Sequence, residues 1–153
     1  MIKITDQYFW NLVLLSFLGM LIVMGAIILD TESRIPFAEL TMLDIALVTL
    51  ATWRLVRLIS ADTTTKFFRE QFYDLKKNAR SYSLEVPATG PRRTILEIIM
   101  NPWNLSLGVG ALVTFVYLLT ALAIYPVALL ALSGLVGILE AGTNFLARKN
   151  SEE

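Results

Sequence analysis

The 153-residue sequence contains neither cysteine nor histidine. Their absence excludes a disulfide framework, a thiol nucleophile, a Cys/His zinc site and an imidazole general base. Charge is also scarce: Asp, Glu, Lys and Arg supply 17% of residues, against about 25% in soluble domains. The 13 basic and 13 acidic residues cancel. No global field attracts nucleic acid, and no nucleic-acid partner is expected. Carboxylate and oxygen-ligand metal chemistry stay open in principle, but no cofactor is expected.

Hydrocarbon is abundant instead. Apolar residues make up 56% of the chain and the mean hydropathy is +0.62. At this length one domain is expected, spanning residues 1–153. Trp10 to Leu29 is a run of 20 residues without a charge. At about 1.5 Å per helical residue it crosses the ~30 Å core of a bilayer. Tyr8, Phe9 and Trp10 form an aromatic belt before it, and Asp30 ends it. A cleaved signal peptide fits less well. Only Lys3 precedes the run, the run is long for such a segment, and no small-x-small site follows.

Three further spans are expected. Leu40 to Ser60 is interrupted by Asp44, Arg54 and Arg57. Asp44 lies near one end, and the two arginines lie where long side chains snorkel to the other interface. Asn101 and Pro102 open a helix as N-cap and first residue. The apolar stretch from Trp103 to Ala147 is too long for one span. Pro126 divides it into spans of about 104–123 and 127–147. Between spans two and three, residues 61–101 form a hairpin-like polar excursion. Within it Phe68, Phe72 and Leu75 stand at i, i+4 and i+7, with Lys66, Arg69, Lys76 and Lys77 around them. That pattern predicts an amphipathic helix in the membrane interface. Ser81 to Arg93, with Pro87, Gly90 and Pro91, reads as a loop. The fold class is thus all-α: an integral membrane bundle of about four transmembrane helices plus one cytoplasmic interfacial helix.

Basic residues orient it. Seven lie between spans two and three (Lys66, Arg69, Lys76, Lys77, Arg80, Arg92, Arg93), and Arg148 and Lys149 follow span four. The connector after span one holds Arg34 alone, and the turn after span three holds none. The positive-inside rule then puts both termini in the cytoplasm of a multi-pass protein of the cell membrane. Four spans demand the same.

A charge in the bilayer core costs roughly 2.5–3.5 kcal/mol on insertion scales, so each needs a partner or an exit. Arg54 and Glu140 sit at similar depth when counted from the starts of spans two and four, which predicts that they pair across the bundle. Arg57, one turn nearer the cytoplasm, would meet Glu97 or a lipid phosphate. Spans one and three offer little polarity beyond Ser16 and Thr114. Ser133, Gly137 and Ala141 repeat at i, i+4 and i+8, a small-residue spacing that brings helices close. Gly108 and Ala111 play that part at the start of span three.

Two stretches carry a resemblance. Ala51-Thr52-Trp53-Arg54-Leu55-Val56-Arg57-Leu58-Ile59, followed by Asp62 and Phe67-Phe68-Arg69-Glu70-Gln71-Phe72, is one. Glu97-Ile98-Ile99-Met100-Asn101-Pro102-Trp103-Asn104 is the other. Together they resemble a family of small uncharacterised bacterial and phage membrane proteins, a domain of unknown function with a sporulation-associated branch. Members share an ATxRLxRLI signature and an ELLxCPWC segment opening the next span. The resemblance covers about residues 40 to 147, so span one looks like an addition. Both family cysteines are asparagine here, at Asn101 and Asn104, and any metal or redox work of those thiols would be absent. The retained Asn/Cys-Pro-Trp start implies a structural role.

These features favour a non-enzymatic membrane component: an anchor, scaffold or accessory subunit that self-associates or joins a larger complex and contacts anionic lipid at its cytoplasmic face. A channel or transporter subunit is the first alternative, and it demands polar groups through every span. The second is an enzyme of lipid phosphates, using Arg54, Arg57, Asp62, Arg69, Glu70 and Glu97. It lacks the paired acids that hold Mg²⁺ at a phosphate-transferring site.

Overall fold

The structure is a computed structural model that describes residues 2–33, 35–77 and 82–152. Arg34 and Arg80, both counted above for orientation, lie outside the described residues. The fold is mostly helical. Helix α1 (Ile2–Glu32) contains the whole uncharged run. Helix α2 (Met42–Ser60) begins at a capping box, in which the Thr41 hydroxyl accepts from the Asp44 backbone N–H and the Asp44 carboxylate accepts from that of Thr41. A short 3₁₀ turn leads to helix α3 (Lys66–Glu70), then to strands β1 (Asp74–Lys77) and β2 (Tyr82–Glu85). Helix α4 (Pro91–Met100) meets α5 (Pro102–Leu119) at Asn101, which accepts the Trp103 N–H at 3.1 Å. A 3₁₀ turn at Ala121–Ala123 passes into α6 (Ile124–Glu152).

Side-chain contacts fix the helix directions. Gly25 and Gly108 of α1 and α5 face Phe115 and Leu18, so these two run the same way. Thr52 lies against Gly110 and Asp44 bonds Tyr117, so α2 opposes α5. Gly134 and Gly137 lie against Leu50 and Trp53, so α6 runs with α2. The four long helices therefore alternate, with α2 between α5 and α6 and α1 on the far side of α5. One buried seam brings Ala51 and Val56 of α2 against Val109, Val113, Tyr117 and Leu118 of α5, and Val127 and Ala131 of α6, while Leu96 and Ile99 of α4 are buried outside it.

Among the described residues three helices, α1, α5 and α6, are long and apolar enough to cross a membrane. Helix α2 has the length, but Asp44, Arg54 and Arg57 lie within its 19 residues.

Two local expectations change. The amphipathic helix through Leu75 stops at Glu70, and an antiparallel hairpin follows, with Leu75 opposite Leu84 and Lys76 opposite Ser83. Tyr82-Ser83-Leu84-Glu85 alternates apolar and polar, a period of two that fits a strand better than a loop. Sidedness survives the change of structure. Leu75 and Leu84 share one face, while the Lys76 ammonium pairs with Glu85 on the other, 3.0 Å away. The second change concerns Pro126, which does not divide the last apolar stretch. It sits in the first turn of α6, where its missing N–H is harmless, and the break falls at Thr120–Ala123 instead.

Candidate functional site: the polar groups at the two ends of the bundle

The C-terminal end of α2 gathers most of the polar chemistry. Arg54 lies two turns before that end, half-buried, and its guanidinium reaches forward to the Asp62 carboxylate at 3.2 Å. It does not reach Glu140, which is exposed on α6. The reason is register. The α6 residue whose Cβ position faces Arg54 is Gly134, at 3.4 Å, so Glu140 lies six residues, or about 9 Å, beyond it. Counting from Leu40 and Val127 placed the two helix starts wrongly, because α2 begins at Met42 and α6 at Ile124.

Arg57 is exposed and stacks on the Trp53 ring, 5.8 Å from its centroid, rather than meeting Glu97. Trp53 in turn packs against Gly137. Glu97 is held by Arg93 one turn earlier, at 2.8 Å. Arg69, from α3, folds back to donate from one terminal nitrogen to the carbonyls of Ile59 and Asp62 and to the Thr65 hydroxyl. The Thr65 hydroxyl itself donates to the Leu58 carbonyl. Carbonyls left open at the end of α2 are thus closed by side chains. The hairpin base is tied to α4 through Arg92, which meets Asp74 at 3.3 Å and the Gln71 carbonyl. Gly90 opens α4 with φ +103°, a backbone conformation that glycine adopts without steric cost.

Helix α1 joins this end through a polar trio. Gln7 donates to Asn11 and to the Thr94 hydroxyl, and that hydroxyl donates to Asn11 at 2.8 Å. Thr94 is buried on α4. The start of α1 and the first turn of α4 therefore share one level. At the opposite end, Tyr117 of α5 donates to Asp44, and Asp44 also accepts from the Thr41 hydroxyl at 2.6 Å.

The expected packing residues divide. Gly137 touches α2, but Ser133 and Ala141 are exposed. The face that meets α2 is Val127, Ala131 and Gly134, one helical position away from the anticipated stripe. In the Asn101-Pro102-Trp103-Asn104 segment, Asn101 caps α5 and Pro102 opens it, while Trp103 is 86% exposed and Asn104 is exposed. Among the described residues no three acidic side chains converge as a metal site would need.

Sequence reasoning missed Asn11 and Arg69 as structural pivots. Gln7 and Asn11 stand at i, i+4 where α1 enters its long uncharged run, and that spacing was a readable signal.

The fold defines a class: a small helical protein with three helices apolar enough to span a bilayer and its polar groups gathered at the helix ends. Residues 47–143 match a family model described as a protein of unknown function, DUF1360, and the chain belongs to that family. Helix α1 and the first turn of α2 lie outside the matched region. No curated protein and no solved structure matches the chain.

Proposed function

We propose that the protein is a non-enzymatic component of the cell membrane, crossing it with four helices and serving as an anchor, scaffold or accessory subunit. Both termini and the β1–β2 hairpin face the cytoplasm, where the basic residues accumulate. Helix α2, the second in chain order, is the remaining span. Its charges lie toward its ends, and Arg54 points toward the cytoplasmic end, as a snorkelling side chain should. The hairpin's apolar face (Leu75 and Leu84, with Tyr82) rests in the headgroup region, and Arg57 on Trp53 offers a cation to anionic lipid.

One observation carries the subunit reading. Helix α6 runs about 43 Å at ~1.5 Å per residue, and beyond Gly134 nearly every described position is exposed, including Leu139, Phe145 and Leu146. Beyond the Gly137–Trp53 contact this half of the helix has no packing partner among the described residues, and the exposed small residues Ser133 and Ala141 of α6 fit close association with a second copy or another subunit. A conduction path has less support, because the polar groups cluster at the two ends and leave the seam between them apolar. The lipid-phosphate enzyme has its acids already occupied: Asp62 by Arg54, Glu70 by Lys66 and Glu97 by Arg93.

Native mass spectrometry after gentle detergent extraction tests the reading. A defined oligomer or co-purified subunit is expected, and a lone monomer contradicts it. Because the chain has no cysteine, a single cysteine at Lys76 tests orientation. It should stay unlabelled by an impermeant maleimide in intact cells, whereas one at Glu39 should react.

A further inference from the structure

A cleft of about 890 Å³ lies between α1 and α5, closed at one end by Ile35 and Pro36 of the connector. Its volume is that of a small-molecule site. The lining is almost wholly apolar. Apart from Thr114, whose hydroxyl can turn back to its own helix, polarity is confined to Asp30 and Ser33 at the connector end. We propose that this cleft holds the acyl chains of a phospholipid whose headgroup carries a protonated amine. The inference rests on the four-span membrane reading above.

The shape selects a chain over a helix. The two walls touch: a Cβ on Gly25 would lie 3.4 Å from the Phe115 ring, and one on Gly108 would lie 3.7 Å from Leu18. A helix is about 10 Å across with its side chains and does not pass between helices in contact, whereas an alkyl chain does. The cleft is also preformed. The trio of Gln7, Asn11 and Thr94 pins α1 at its start, and Ile35 packs on the core beyond its end.

The headgroup is selected by charge. Asp30 forms no ion pair among the described residues, and Glu32 stands two positions on. The C-terminal end of α1 adds its own partial negative charge at the same place. A carboxylate, a serine hydroxyl and a helix C-terminus together suit an ammonium and repel a purely anionic head. The cleft needs α1, which lies outside the family match, so the matched region alone does not form the site.

The test uses the full chain, extracted and presented with equal amounts of dioleoyl phosphatidylethanolamine and dioleoyl phosphatidylglycerol, then read by native mass spectrometry. At least one phosphatidylethanolamine should remain bound under activation that strips phosphatidylglycerol. Asp30→Asn, an exposed change that leaves the fold intact, should reduce that preference about tenfold, the usual worth of a hydrogen bond to a charged group. Ala111→Phe should fill the cleft and lower retention of both lipids, with its helical circular dichroism checked alongside. Equal retention of the two lipids, an unchanged preference in Asp30→Asn, or a dimer that retains no lipid overturns the proposal. Alkaline carbonate extraction separates the two failures. A chain released by carbonate defeats the membrane reading itself, whereas a resistant chain with unselective lipid retention defeats only the cleft.

Discussion

Gly134 of α6 faces the backbone carbonyl of Leu50 so closely that a Cβ there would lie 2.8 Å from the oxygen. No side chain can yield at that contact, because the obstacle is the α2 backbone. The approach lets Val127 and Ala131 reach Ala51 and the rest of the seam. Gly134→Ala should therefore separate the helices and cost about 1–3 kcal/mol, the range for overpacking. Gly142, with nothing within 4 Å, is the control. Gly142→Ala should be neutral or stabilising, since alanine gains up to about 1 kcal/mol over glycine within a helix. Unfolding midpoints in mixed dodecyl sulfate micelles compare the two.

The partner of Arg54 yields a second expectation. Asp62→Asn removes the carboxylate from a half-exposed pair and should cost about 1 kcal/mol, because solvent still screens it. Glu140→Gln should change stability by less than about 0.5 kcal/mol, as surface substitutions do. The same micelle titration checks both, and a larger loss in Glu140→Gln would restore the pairing across α6.

The contrast between these residues shows where the sequence was readable. The long helices and the Asn101-Pro102 helix start follow from apolar run length and capping chemistry, which are local. The Arg54 partner depends on the register between α2 and α6. That register is set by one glycine contact eighty residues away along the chain, and hydropathy carries no trace of it. A two-residue error in where α2 begins and a three-residue error in where α6 begins together placed Glu140 level with Arg54. The hairpin failed for another reason. Phe68, Phe72 and Leu75 fit a helical period while Tyr82 to Val86 fit a period of two, and tertiary ties from Arg92 to Gln71 and Asp74 decided between them.

Tyr117 connects the other end of the bundle. Its hydroxyl is the link from α5 to the capping box of α2, and the residue is buried. Tyr117→Phe keeps the ring and the packing but leaves Asp44 one donor short. A loss of about 1–2 kcal/mol is expected, as for a hydrogen bond to a charged acceptor. Asp44→Asn removes the charged acceptor from both Thr41 and Tyr117 and should cost more. Micelle unfolding of the two variants, and of the double variant, gives the coupling directly; strictly additive losses would mean that the two residues act separately.

Arg69 provides the sharpest test of how the segment after α2 is held. One guanidinium nitrogen serves the carbonyls of Ile59 and Asp62 and the Thr65 hydroxyl, at 2.9, 3.0 and 3.1 Å. A cation at a helix C-terminus is favoured by the backbone dipoles as well. Arg69→Ala strands those carbonyls and should cost about 1–3 kcal/mol, with hydrogen exchange rising at the amides of residues 57–66. Lysine carries the charge on a shorter, single-atom head, so Arg69→Lys should recover only part of the protection. Lys66→Ala, which removes an exposed pair with Glu70 one turn away, should change little, about 0.5 kcal/mol or less. Exchange that rises equally in Lys66→Ala and Arg69→Ala would show that net charge, rather than this cap, secures the end of α2.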